Sequence, residues 1–156
     1  MGFRISGLDY AGFAPLFGMT DEQLRQRNIV RRVADTRPGF PCRVSLQDAQ
    51  PGETLLLVNY EHLAVASPYR SRHAIYVREN AQRAELSVNE IPEVMRTRML
   101  SLRAFDHAGM MLDADVAQGG EVVPVIERML GNADVEFIQA HNAKQGCFAA
   151  RIDRVA

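Results

Sequence analysis

The sequence has 156 residues, 47% of them apolar and 24% charged, with a net charge of −1. These values fit an ordinary globular chain and exclude the disordered, collagen-like and disulfide-scaffold classes. Near-neutral charge also argues against bulk nucleic-acid binding, which needs a basic surface to neutralise phosphates.

Phe3 to Ser6 reads as a short strand, ended by Ser6-Gly7 and a loop around Gly12 and Pro15. Thr20 with Gln23 forms a capping-box pattern and predicts a helix over Asp21 to Arg27. Ile29 to Ala34 is strand-like, and the two prolines of Arg37-Pro38-Gly39-Phe40-Pro41 require a turn. Cys42 to Leu46 alternates in the manner of a strand, and Gln50-Pro51-Gly52 turns the chain. Thr54 to Tyr60 is a continuous apolar run, the signature of a central strand covered on both faces. His73 to Arg78 is another strand, and Pro92 opens a short helix to Arg96.

Met99 to Phe105 and Met110 to Val116 follow as strands, then a helix from Glu121 to Leu130, bounded by Pro124 and Gly131. Val135 to Ala140 and Cys147 to Ile152 complete the set. Loops this short demand antiparallel neighbours. The expectation is one α+β domain over residues 1–156, with a largely antiparallel sheet of about eight strands and about three short helices.

Parity specifies one hairpin further. Matching Leu100, Leu102 and Ala104 with Met110, Leu112, Ala114 and Val116 on one face sets Arg103 opposite Asp113, Ser101 opposite Asp115 and Leu102 opposite Ala114. The loop His107-Ala108-Gly109 then places Gly109 at positive φ.

Seventeen of the eighteen basic residues are Arg, the exception being Lys144, and there are nineteen Ala. A GC-rich bacterial genome produces that bias, and an Arg-lined anion pocket is the functional counterpart. Cys42 and Cys147 lie far apart and in no CxxC. The N-terminus lacks the pattern of a secretory leader, and no apolar stretch approaches the roughly 18 residues that span a bilayer. A cytoplasmic chain with both thiols reduced, no membrane association and no cofactor is expected.

The strong local signatures are missing: no phosphate loop, GxGxxG, HExxH, GxSxG or EF-hand loop occurs. Four places carry chemistry. In His141-Asn142-Ala143-Lys144-Gln145-Gly146-Cys147, a five-residue loop brings His141 opposite Cys147. There a thiolate–imidazole pair makes a nucleophile, or else a buried apolar Cys accompanies a hydrogen-bonding His. Cys42 near Cys147 and His141 gives at most an incomplete zinc set, since paired ligands are lacking, so no metal is expected. Arg70 and Arg72, before a strand bearing His73, suit a phosphate or carboxylate, or lie in solvent. Asp106, Asp113 and Asp115 suit a hard cation, or pair with Arg103. Over longer spans Arg25 to Arg43 carries +5 and Asp106 to Glu136 carries −6.

Four segments together resemble the small bacterial proteins of domain of unknown function 1203: Phe3-Arg4-Ile5-Ser6-Gly7-Leu8, Asp35 through Pro41-Cys42-Arg43, Leu102-Arg103-Ala104-Phe105-Asp106, and His141-Asn142 through Gly146-Cys147-Phe148-Ala149-Ala150-Arg151. The resemblance implies a single domain and brings no established activity, cofactor or catalytic residue. The leading expectation is a small anionic ligand near the His141 to Cys147 loop, bound by Arg43, Arg70, Arg72, His141, Asn142 and Arg151. The alternatives are a Cys-dependent transferase or hydrolase using Cys147 with His141, and a regulatory or interaction module.

Overall fold

Alternating apolar segments joined in hairpins by short glycine- and proline-bearing turns favour antiparallel neighbours. The computed structural model describes residues 2–156. Eight strands form two antiparallel sheets: β1 (Gly2–Ser6), β2 (Ile29–Val33), β3 (Thr54–Leu63), β4 (Ser71–Arg78), β5 (Met99–Phe105), β6 (Met111–Gln118), β7 (Phe137–Asn142) and β8 (Phe148–Val155). The larger sheet has the order β1-β8-β7-β5-β6 and the smaller β2-β3-β4. Three short α-helices accompany them: α1 (Asp21–Arg25), α2 (Glu93–Arg96) and α3 (Val122–Leu130). The α+β, largely antiparallel expectation holds, with the strands divided between two sheets.

Local signals explain several boundaries. Thr20 Oγ1 accepts from the Gln23 amide and Gln23 Oε1 from the Thr20 amide, which makes the expected capping box. The helix stops at Arg25 because the chain turns into β2 through Asn28, whose φ is 58°. The apolar run of β3 is central in its sheet, and Leu55 and Leu56, which point to opposite faces, are both fully buried. No helix among the described residues is long and apolar enough to cross a membrane.

Two apolar cores result. One lies between the larger sheet and α3, where Val122, Ile126, Met129 and Leu130 cover Ile5, Leu100, Leu102, Ile138, Ala140 and Ile152. Burying each such aliphatic side chain contributes about 1.5–3 kcal/mol. The other, built from Ile29, Leu56, Val58, Ile75 and Val77 of the smaller sheet, also receives Phe148 from β8. Phe148 thus pins the two sheets together.

Two expectations fail here. Cys42 to Leu46 is not a strand, because Leu46 takes a φ of 56° and its amide folds back onto the Cys42 carbonyl at 3.0 Å. The β5–β6 hairpin keeps the expected register only at Phe105–Met111. Leu112 then bulges, and Ala104 faces Asp113, Arg103 faces Ala114 and Leu102 faces Asp115. A one-residue slip moves side chains to the other face. Asp113 and Asp115 therefore join the face that α3 covers, where Arg128 donates to both at 2.7 and 2.8 Å. Arg103 does not oppose Asp113; its Nε donates to Ser101. The reason is tertiary: β6 is an edge strand, and a guanidinium from α3 offers the carboxylates a better partner than a cross-strand one. Gly109 takes the expected positive φ, 79°.

Candidate functional site

The site begins with a strap that regular pairing cannot accommodate. Pro41 and Cys42 make only isolated bridges, to Asp48 and Tyr76. The Arg43 amide donates to the Tyr76 carbonyl at 3.0 Å, and the Arg43 carbonyl accepts from Leu8 at 2.8 Å. The strap is therefore clamped between β4 and the end of β1. Gly7 permits this approach, since a Cβ there would collide with the Val44 carbonyl.

The clamp turns the Arg43 side chain inward, where it is 3% exposed. Nε donates to the Phe148 carbonyl at 2.7 Å, Nη1 to the Pro41 carbonyl at 2.6 Å and Nη2 to Cys147 Sγ at 3.1 Å. No carboxylate pairs with it among the described residues. Burial pushes the guanidinium below its ordinary value, while the Cys147 sulfur pulls the other way. Arg begins so high that it stays charged, so the fold carries a buried cation whose desolvation costs several kcal/mol.

Cys147 reaches this position through a second bulge. Ile138–Ile152 and Ala140–Ala150 pair as the apolar pattern requires, but His141 then faces Phe148, leaving Ala149 over. The Asn142 amide donates to the Cys147 carbonyl at 2.9 Å, and Gly146, at a φ of 78°, closes the turn. The expected facing of His141 and Cys147 is thus overturned: Cys147 lies across from Asn142, whose Nδ2 donates to its sulfur at 3.4 Å. Asn142 is 5% exposed, and its Oδ1 has no hydrogen-bond partner among the described residues.

His141 instead joins a buried polar cluster on the side of Phe148. Gln139 Nε2 donates to the His62 carbonyl at 2.7 Å, which directs its Oε1 at His62 Nδ1 (2.9 Å) and His141 Nε2 (3.1 Å). His141 Nδ1 lies 3.1 Å from the Gly146 carbonyl. A neutral imidazole has one N–H for these two acceptors. Hydrogen bonding therefore favours the imidazolium, yet burial wins, helped by the charge of Arg103, and pushes His141 down to about 3. His62 is lowered for the same first reason. The rings of His62 and Phe148 stack at 5.7 Å, so the cluster is also packed.

Arg43, His73, Tyr76, Arg98, Asn142 and Cys147 line a cavity of about 250 Å³ between the strap, β4 and the β7–β8 turn. It shares Gly39, Arg98, Asn142 and Gln145 with a neighbouring cleft of about 540 Å³ that Lys144 also lines. Arg98 forks onto Asp48 at 2.7 and 3.1 Å, so its charge is neutralised. The net field of Arg43, Arg98, Lys144 and Asp48 is positive.

Of the expected ligand-binding residues, the fold brings Arg43 and Asn142 to the cavity beside Cys147. Arg70 forks onto Glu61, and Arg72 holds Asn59; both are exposed at the far end of β4. Arg151 pairs with Asp153 and lies 4.2 Å over the Phe137 ring. Asp106 Oδ1 caps its own hairpin, accepting from Ala108 and Met110. Cys42 and Cys147 are both free thiols. Arg98 and Asp48 went unnoticed because their pairing spans fifty residues of chain and leaves no local pattern.

No curated protein and no solved structure matches the chain. The family described as protein of unknown function (DUF1203) matches residues 39–154, from the strap through the Cys147 hairpin. The chain belongs to that family.

Proposed function

We propose that the chain is a bacterial, cytosolic protein that binds a small anionic molecule, a carboxylate or phosphate, in the cavity beside Arg43. The observation that carries this reading is the buried guanidinium of Arg43, which lacks a carboxylate partner among the described residues and lines a cavity. A fold that retains an uncompensated cation at such cost gains from an anion that neutralises it. Asn142 and Lys144 add polar and charged groups on the adjoining walls. The Arg and Ala excess and the two free thiols support the assignment to a bacterial cytosol.

Titration with inorganic phosphate and with a small dicarboxylate, followed by amide chemical shifts, tests the reading. Shifts should centre on Asn142, Gln145 and Cys147, and Arg43→Met should abolish them in a folded protein. Shifts confined to residues 106–115, or unchanged affinity in Arg43→Met, would overturn it.

A further inference from the structure

We infer that Cys147 is a nucleophile that attacks an electrophilic carbon of the anionic molecule held beside Arg43; the inference rests on the anion reading above. The two thiols of the chain differ in setting. Cys42 is fully buried, its sulfur accepts only the Arg78 backbone amide at 3.3 Å, and it lines no cavity described above. Cys147 lines the cavity, and its sulfur meets two side-chain donors, Arg43 Nη2 at 3.1 Å and Asn142 Nδ2 at 3.4 Å. Among the described residues, no acceptor is hydrogen-bonded to the S–H. Two donors, one of them cationic, hold the sulfur in the cavity wall, and the thiolate is the reactive form of cysteine.

Two further groups complete the arrangement. The unpartnered Asn142 Oδ1 is a buried acceptor on the same wall as Cys147. His73 is the imidazole on the cavity wall, and its Nδ1 lies 3.1 Å from the Ala74 carbonyl. A carbonyl only accepts, so Nδ1 carries the hydrogen and Nε2 keeps a lone pair. The step is a displacement: the thiol proton passes to the solvent of the cavity, whose wall carries the His73 imidazole, sulfur forms a bond to carbon, and the leaving group departs with the bonding electron pair. Nothing is oxidised or reduced. The substrate class is a small carboxylate or phosphate ester with an electrophilic carbon close to its anionic group.

Iodoacetate and iodoacetamide provide the test, because they share the electrophilic methylene and the iodide leaving group and differ in charge. Modification is followed by peptide mass spectrometry near neutral pH, with Cys42 as internal control and glutathione as reference thiol. Relative to glutathione, Cys147 should prefer iodoacetate by about tenfold or more, the order of one charge-assisted hydrogen bond. Millimolar phosphate should slow its carboxymethylation. Arg43→Met should erase the preference, and if that variant does not fold, Asn142→Leu and Arg43→Lys should each reduce it. If Cys147 stays unmodified while phosphate still shifts the Asn142 and Cys147 amides, the nucleophile is overturned and anion binding stands. If both reagents act equally and phosphate gives no protection, the inference falls together with the anion reading.

Discussion

The β5–β6 and β7–β8 hairpins carry the same irregularity, one surplus residue, with opposite consequences. In the first, the bulge at Leu112 lies on an edge strand. It turns Leu112 and Val116 to solvent, and gives Asp113 and Asp115 to Arg128. In the second, the bulge at Ala149 lies inside the sheet. It sends Phe148 into the inter-sheet core, sets it opposite His141, and leaves Cys147 across from Asn142 next to Arg43. A register slip at an edge rearranges a surface; the same slip at a central position brings Arg43, Asn142 and Cys147 together beside a cavity. Bulges are known for re-aiming side chains, and the contrast shows that their surroundings decide what is aimed.

Deleting the surplus residues should separate the two hairpins most widely. Removing Ala149 leaves Phe148 opposite His141 but straightens a bulge buried inside the sheet and drags the β7–β8 turn against the strap, so it should cost more than about 4 kcal/mol and leave a chain without a cooperative transition in urea. Removing Leu112 should cost far less and preserve the transition. Phe148→Ala should lose about 3–5 kcal/mol, since the ring is 2% exposed and joins the two sheets. Val116→Ala, at 58% exposed, should stay within about 0.5 kcal/mol in the same measurement.

Acid titration probes the interior hairpin through His141. His141 is held at about 3 in the fold against its ordinary 6.5, so between those values the unfolded chain binds a proton that the folded chain does not. The contribution is fully present above the ordinary value and is lost as pH falls toward the folded one. The slope approaches about 1.4 kcal/mol per pH unit in that window. His141→Phe should flatten the stability profile there relative to the parent chain, and an unchanged slope would assign the acid sensitivity to other groups. The smallest effect belongs to the edge. Arg128 and both of its carboxylates are well exposed, so Arg128→Ala should cost at most about 1 kcal/mol and should fade in salt.

Much of the architecture is legible because its causes are local. Thr20 and Gln23 cap α1 with atoms three residues apart, and Gly109 occupies the left-handed position its turn requires. The apolar run of β3 announces a central strand, since only burial on both faces rewards it. The candidate site was legible by segment and not by partner. The β7–β8 turn does hold Asn142 and Cys147, and Arg43 does reach them. The pairing of Cys147 with His141 was inferred from parity, and parity counts residues without knowing where one is surplus.

The sequence by itself determined the class, the antiparallel sense of the pairing, most strand positions and the segment that carries the thiol, because hydrophobic period, capping and turn chemistry act over a few residues. Only the tertiary structure decided the two bulges, the division into two sheets, the loss of a strand at Cys42 to Leu46, and the meeting of Arg43, Asn142 and Cys147. A bulge depends on what packs against each face of the strand, here α3 on one hairpin and the smaller sheet on the other. The Arg43–Cys147 contact joins residues more than a hundred positions apart, and no local preference encodes a distance of that kind.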